Sequence, residues 1–340
     1  MNKSIRIEAK QLAILMGASL LTDSFIQPFG RESTPQSAQL GIFSFAIEML
    51  VFAALFRVLR SKNNTILQTK TTTALFLIIT LLSVALEIIQ GERFYNYVMQ
   101  SKLSVGAFLG IVFVIGFYGV YSGLDALSRT AAMIVALTIF SMFLLIVSIS
   151  SQLRFTNLQP AILNLKTIAN SAISQLYLPP ELFFWSILFA NSDSNQKNQS
   201  SHIAPVLGLL FAAGSLFSLI GEMTLGYSYQ QQEHPLFTIA RLGGISVFRR
   251  LDALHVSVWL LLFLIKVTVY LSMLILLIKK LFPNLKNHWP YYITVTSVLG
   301  IFLIAWSQAE NTAYKLQQSL LAILFILALV IPTKQREQLQ

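Results

Sequence analysis

The chain alternates between long apolar segments and short polar ones. Each apolar segment covers about 16–23 residues, which is enough to cross a bilayer with modest tilt. The pattern predicts ten membrane-spanning helices, at residues 12–29, 40–58, 73–89, 103–121, 132–150, 172–190, 203–225, 256–278, 291–306 and 316–331. The polar segments between them are too short for an extramembrane domain, so we expect residues 1–340 to form a single transmembrane domain.

Composition supports this interpretation. The 340 residues are 55% hydrophobic and 11% charged, and the mean hydropathy is +0.67. A soluble domain has about 25% charged residues. We therefore predict an all-α integral membrane protein. Cysteine is absent, which excludes a disulfide framework, a thiolate metal site and a thiol nucleophile.

The net charge of +10 is distributed along the chain between the apolar segments, so it does not indicate a nucleic-acid-binding face. With ten spans, fourteen of the 24 Lys and Arg residues fall on the side of the N-terminus and nine on the other side. The remaining one, Lys266, lies within a span. This bias predicts that both termini are cytoplasmic.

The sequence offers little for catalysis. It has no P-loop and no glycine-rich nucleotide fingerprint. The histidines do not cluster, and serine and histidine show no triad-like arrangement. We therefore expect neither an enzyme nor a bound cofactor or metal, and no nucleic acid partner.

Ionisable residues inside the predicted spans are the first candidates for function. Glu48, Glu181, Glu222 and Lys266 lie deepest in the apolar segments. They either snorkel or pair to lock helices together, or they line a ligand or ion path. The second reading is favoured because burying a charge in a membrane is costly. Glu87 and Asp125 lie near predicted span ends, where a structural role is favoured.

Two adjacent prolines, Pro179 and Pro180, interrupt the sixth predicted span. They remove two amide donors, so earlier carbonyls lose their helical partners and must face protein or a wet cavity. Ten spans divide as five plus five, and inverted-repeat transporters bind ligands where the first helix of each half breaks. The ammonium of an amino acid would suit such carbonyls, and its carboxylate would suit a helix N-terminus on the first span. The predicted ligand-binding residues are Gly17, Ala18, Ser19, Tyr177, Leu178, Pro179, Pro180 and Glu181.

Residues 234–266 carry the most specific motif in the chain. Pro235 follows His234, and the ordered pattern continues with Ile239-Ala240-Arg241, Ile245-Ser246, Phe248, Arg250-Leu251-Asp252-Ala253-Leu254, Trp259 and Lys266. This stretch resembles the B subunits of spore germination receptors, a permease family within the amino acid–polyamine–organocation transporter superfamily.

Three shorter motifs point to the same family. Ile7 and Gln11 resemble its opening, and Gly123-Leu124-Asp125 followed by Arg129 resembles a second signature. Asn157-Leu158-Gln159-Pro160 also looks like the family. The resemblance implies a five-plus-five inverted-repeat bundle of the LeuT type.

The resemblance further implies a subunit of a nutrient-germinant receptor in the spore inner membrane. Such a subunit would sense an amino acid or similar small nutrient, together with an A subunit and a lipoprotein C subunit, and trigger germination. The alternative is a proton- or sodium-coupled amino acid secondary transporter in the cell membrane. The two share a ligand site and differ in output.

The motif contains two groups of residues with candidate roles. Arg241, Arg249, Arg250 and Asp252 either anchor the chain at the membrane surface or form a subunit contact or gate. Trp259, Phe263 and Lys266 share one helix face. We expect Lys266 to be charged and to have an acidic or carbonyl partner in the bundle, with Glu222 as one candidate.

Overall fold

The chain folds almost entirely into α-helices. A computed structural model describes residues 8–25, 37–61, 69–99, 104–158, 160, 164–175, 178–190, 196–232, 234–244, 252–286, 288–308 and 310–330. These contain no β-strand. The α-helices are α1 (Ala9–Phe25), α2 (Ala38–Ser61), α3 (Lys70–Met99), α4 (Val105–Ile149), α5 (Leu165–Gln175), α6 (Glu181–Ala190), α7 (Gln196–Leu225), α8 (Pro235–Leu242), α9 (Asp252–Leu281), α10 (Trp289–Gln308) and α11 (Glu310–Val330).

Helix α9 is the centre of the bundle. It is buried along most of its length and packs against α1, α3, α4 and α10. The predicted face is confirmed: Trp259, Phe263 and Lys266 are all buried. The indole of Trp259 stacks on Phe263 with a ring separation of 5.4 Å. Phe263 in turn lies over Gly91 of α3, where an added Cβ would come within 2.4 Å of its ring. Helices α3 and α9 therefore approach closely because Gly91 has no side chain.

Every predicted span overlaps helix in the described residues, the sixth with a break at residues 178–180, but the number of membrane crossings stays a prediction. Five helical segments are long and apolar enough to cross a membrane, namely Ala38–Leu59, Lys70–Met99, Val105–Gln152, Ile203–Tyr229 and Asp252–Leu281. A shorter apolar helix covers Trp289–Leu303. Residues 26–29 at the end of the first predicted span lie outside the described residues.

Three stretches that the sequence indicated as polar loops contain helix. Helix α5 begins at Leu165, between the fifth and sixth predicted spans, and α7 begins at Gln196, between the sixth and seventh. Helix α8 begins at Pro235, between the seventh and eighth predicted spans. Proline is favoured at the first position of a helix because its missing N–H has no helical partner there. Hydropathy does not report these helices because their polar residues reduce the apolar signal.

Helix α4 contains a sharp break at Gly123. This residue has φ 87° and ψ 163°, a backbone conformation that is almost confined to glycine. The break falls between the fourth and fifth predicted spans, and Gly123 is the residue of α4 with non-helical backbone angles. The division of α4 into two membrane crossings stays a prediction. A continuous helix of 45 residues would be about 68 Å long, more than twice the hydrocarbon thickness.

Replacing Gly123 with alanine is expected to destabilise the protein by about 1–3 kcal/mol, because the Cβ is strained in this conformation. No atom lies within 4 Å of the position of that Cβ, so the effect comes from the backbone alone. Gly110→Ala is the matched control, since Gly110 lies in the same helix with open space around it and ordinary backbone angles. The melting temperature of purified protein in detergent measures both variants. Equal melting temperatures would contradict the assignment of strain to Gly123.

Candidate functional site

Four helices meet at a buried group of charged side chains, which we call the charge cluster: Asp23 of α1, Glu87 of α3, Glu181 of α6 and Lys266 of α9. The ammonium of Lys266 is hydrogen-bonded to Asp23 Oδ1 and lies 2.9 Å from Glu87 Oε2 and 3.5 Å from Glu181 Oε1. The side chains of Lys266 and Glu181 are 0% exposed. The prediction that Lys266 has an acidic or carbonyl partner is therefore confirmed by acidic ones, and three of them lie among the described residues.

The candidate partner Glu222 was the wrong choice. Its Oε2 accepts a hydrogen bond of 2.7 Å from the amide of Ala38, the first residue of α2. A carboxylate at a helix N-terminus satisfies a free amide and meets the positive end of the helix dipole. Glu222 is buried, and so is Glu48 within α2. The partners of Lys266 come instead from helices α1, α3 and α6, which hydropathy cannot bring together.

The predicted interruption of the sixth span is present. Leu178 and Pro179 are not helical, Pro180 lies in a turn, and α6 begins at Glu181. This start lies against α1, because the hydroxyl of Ser19 donates to Glu181 Oε1 over 3.4 Å. Gly17, Ala18 and Ser19 are all buried. The structure therefore brings together the small residues of α1 and the start of α6, as the sequence indicated.

The carbonyls of residues 178–180 at this break are occupied. The side-chain amide of Gln318 on α11 accepts from the amide of Leu178 at 3.2 Å and donates to its carbonyl at 3.3 Å. The carbonyls of Pro179 and Pro180 accept hydrogen bonds from Leu182 and Phe183. Protein groups therefore satisfy the carbonyls of residues 178–180. The carbonyls that the two prolines deprive of a helical donor lie four residues earlier in the chain, and their role in ligand binding stays a prediction.

The unsatisfied acceptor at this place is a side-chain atom. In the described part of the chain, Glu181 Oε2 has no hydrogen-bond donor, although it is fully buried. A buried polar atom without a hydrogen-bond partner is rare in a folded protein and requires a physical explanation. The ring of Tyr270, one turn beyond Lys266 on α9, lies 5.9 Å from the Lys266 ammonium, and its side chain also interacts with the Glu181 carboxyl group.

The predicted contact or gate residues are only partly described. Arg241 is exposed on α8, and its guanidinium lies 5.8 Å from the centre of the Phe237 ring. Asp252 is the first residue of α9. Arg249, Arg250 and the predicted ligand residue Tyr177 lie outside the described residues.

The opening motif and the second signature contact each other. Gln11 of α1 donates to Asp125 Oδ1 over 2.8 Å, and the Arg129 guanidinium pairs with Asp125 Oδ2 at 2.7 Å. Asp125 follows the break at Gly123, so this contact ties the start of α1 to the second half of α4. The structural role expected for Asp125 agrees with this contact.

Sequence reasoning missed three residues of the site. Asp23 lay unremarked in the first predicted span, although an acid in an apolar segment is itself a signal. Glu87 was placed near a span end, but α3 continues to Met99 and leaves it well inside the helix. Gln318 carried no signal, because a polar residue near a helix end is unremarkable until its partner is known.

Comparison with solved structures identifies the class of fold. The chain is similar to Mhp1, a nucleobase-cation-symport-1 family transporter in a closed conformation with bromovinylhydantoin bound. The TM-score is 0.56 at 14% sequence identity, and the alignment covers 96% of this chain and 80% of that one. The fold is therefore that of a membrane transporter.

The family follows from the sequence. Residues 75–314 match the spore permease family, described as spore germination protein. The chain belongs to this family, which confirms the resemblance. No curated protein matches the chain significantly. Family and fold together make it a transporter-like germination protein of the membrane, from a class of permeases and not of enzymes.

Proposed function

We propose that the protein is the transporter-like subunit of a spore nutrient-germinant receptor. It senses an amino acid or a similar small nutrient, in the spore inner membrane, and acts with an A subunit and a lipoprotein C subunit. The single observation that carries this function is the contact of α1 with the start of α6 beside the charge cluster. Helices α1 and α6 meet there at a buried ionic group. A ligand that binds at this contact can move the two helices apart or together.

The proposed ligand site lies between Gly17–Ser19 of α1 and residues 177–181, as the sequence predicted. Support comes from the burial of the small residues and from the helix start at Glu181. Binding at this junction would favour one arrangement of α1 and α6 over another, and a ligand shifts an equilibrium by its difference in affinity for the two states. The A and C subunits would then bind or respond to the arrangement of α1 and α6 that the ligand favours.

Filling the site tests this proposal. We expect Ala18→Leu and Ser19→Leu to raise the nutrient concentration for half-maximal germination at least tenfold, or about 1.4 kcal/mol of binding free energy. The assay uses spores that lack the chromosomal gene and carry each variant, exposed to single nutrients. Ala54→Leu is the matched control, because Ala54 is exposed on α2.

Protein abundance and melting temperature show whether a weaker nutrient response comes from lost ligand binding or from lost folding. Overpacking a core costs about 1–3 kcal/mol, so a variant counts only if it reaches the wild-type level in the membrane. If both variants are present at that level and respond at the wild-type concentration, the ligand site lies elsewhere.

The second candidate is a proton- or sodium-coupled amino acid secondary transporter. It is supported by the similarity to a protein whose title names cation symport. Uptake of labelled amino acid by the purified chain alone, in vesicles with an ion gradient, would favour it. A germination defect in the deletion strain without such uptake would favour the receptor subunit.

The outer position of the Arg-rich segment is part of the proposal. With both termini cytoplasmic, Arg241 and residues 249–252 lie on the outer face, where the charge bias leaves few basic residues. An exposed Arg241 suits contact with a partner subunit, because guanidinium groups bind carboxylates in a fixed geometry. Gating of the ligand path remains the other role for this segment.

A further inference from the structure

The charge cluster contains more negative than positive charge. Three carboxyl groups surround one ammonium, so the formal charge is −2 if all four groups are ionised. Burying charge without compensation costs several kcal/mol per group. Two carboxylates beside each other also oppose each other's ionisation. The imbalance therefore requires another positive species at the cluster.

Neighbouring groups do not supply it in the described part of the chain. Tyr270 is neutral as a phenol and lies beside the cluster on α9. On α3, Glu92 accepts a hydrogen bond from Asn96, and the positive charge of Arg93 next to it acts on Glu92. On α4, Asp125 is paired with Arg129 and accepts a hydrogen bond from Gln11 near the beginning of α1. On α9, Lys279 lies near the ring of Tyr291, beyond the far end of the bundle core.

The geometry distinguishes the three carboxyl groups. Asp23 and Glu87 are the two closest partners of the ammonium, and their side chains are 17% and 11% exposed, so both retain contact with the surroundings. Glu181 is the most distant at 3.5 Å and is 0% exposed. Its Oε1 faces both the ammonium and the Ser19 hydroxyl, while its Oε2 has no donor among the described residues.

We propose that the charge cluster is a proton-binding site and that Glu181 carries the proton in this state of the bundle. One proton converts the carboxylate to a carboxylic acid, and the formal charge changes from −2 to −1 with no other reactant. A neutral acid explains why a buried Oε2 tolerates having no donor, since a carboxylate oxygen in that position would be far more costly. Asp23 and Glu87 then remain as the two closest carboxyl partners of Lys266.

The position of Glu181 couples the proton to the helices. It is the first residue of α6 and contacts both α1 and α9. A movement that separates α6 from α1 would expose the carboxyl group to water, where a carboxylic acid ionises at neutral pH. Proton binding and helix arrangement are thus linked, and pH biases the equilibrium between closed and open bundles. This goes beyond the proposed function, because it depends on neither the nutrient nor the partner subunits.

Infrared spectroscopy of the purified chain in detergent tests the proposal directly. At pH 7 we expect a carbonyl-stretch band of a protonated carboxylic acid in the wild-type protein. The band should shift when glutamate is labelled with ¹³C at its side-chain carboxyl carbon, and should not shift when aspartate is labelled. Glu181→Gln should remove the band, and the matched control Glu222→Gln should retain it.

Two further measurements test the assignment of the band to Glu181 if Glu181→Gln fails to fold. The isotope experiment needs no variant, and Ser19→Ala should shift the band because the Glu181 carbonyl oxygen loses a donor. Absence of the band in the wild type at pH 7, a shift with labelled aspartate, or persistence of the band in folded Glu181→Gln would each overturn the proposal. None of these outcomes bears on nutrient sensing, so the two proposals fail independently.

Discussion

Lys266→Met is expected to remove most of the folded protein from the membrane. The substitution leaves Asp23, Glu87 and Glu181 without the cation they share, and breaking a buried ion pair by removing one partner costs about 3–5 kcal/mol. The amount of monodisperse protein after detergent extraction and its melting temperature measure this effect. The nutrient response of spores measures its consequence.

Lys279→Met is the matched control in the same helix. Lys279 is exposed in the last turn of α9, with its ammonium 5.9 Å from the centre of the Tyr291 ring, so the expected loss is about 1 kcal/mol or less. Adding Glu87→Gln to Lys266→Met should recover part of the loss, because it removes one uncompensated carboxylate. Equal and mild effects of Lys266→Met and Lys279→Met would show that the charge cluster does not support the bundle.

Gln318→Leu is expected to lower the free energy of unfolding by about 2–4 kcal/mol. The change removes both hydrogen bonds to the backbone of Leu178, and each unsatisfied buried group costs about 1–3 kcal/mol. Because Leu178 lies just before the start of α6, the break should also become less well positioned, and the nutrient response should weaken more than the protein level does. Melting temperature and half-maximal nutrient concentration measure the two effects.

Two neighbouring variants test the mechanism at Gln318. Gln318→Glu keeps an acceptor for the Leu178 amide and loses the donor to its carbonyl, so its effect should be intermediate. Ser319→Ala changes an exposed residue whose hydroxyl bonds within its own helix, and it should behave as wild type. A Gln318→Leu variant with wild-type stability would mean that water replaces the side chain at the break.

The candidate site was predictable where a residue type contradicts its surroundings. A lysine in an apolar helix and two prolines in an apolar span are signals within a single segment, and both led to the site. The choice of partners was not predictable in this way. Glu222 and Glu87 are both acids in apolar segments, yet one binds the start of α2 and the other binds Lys266.

The backbone at residues 178–180 also has a partner that the sequence does not predict. The prolines predict which amide donors are missing, because that depends on covalent structure. They do not predict that Gln318, 140 residues further along the chain, satisfies the Leu178 amide and carbonyl. The carbonyl of Leu178 is thus occupied by a protein group, and an acceptor without a donor among the described residues is a carboxyl oxygen of Glu181.

The sequence by itself determined that this is an all-helical membrane protein, where its long apolar helices lie, which family it resembles, and where the sixth span breaks. The length of an apolar segment, the missing amide of proline and the order of a motif are properties of neighbouring residues. They can therefore be inferred from a single segment of the sequence. The tertiary structure decided which charges meet, because Asp23, Glu87, Glu181 and Lys266 belong to four helices far apart in the chain. Their pairing depends on how those helices pack, and close approaches such as that of Phe263 to Gly91 set this packing.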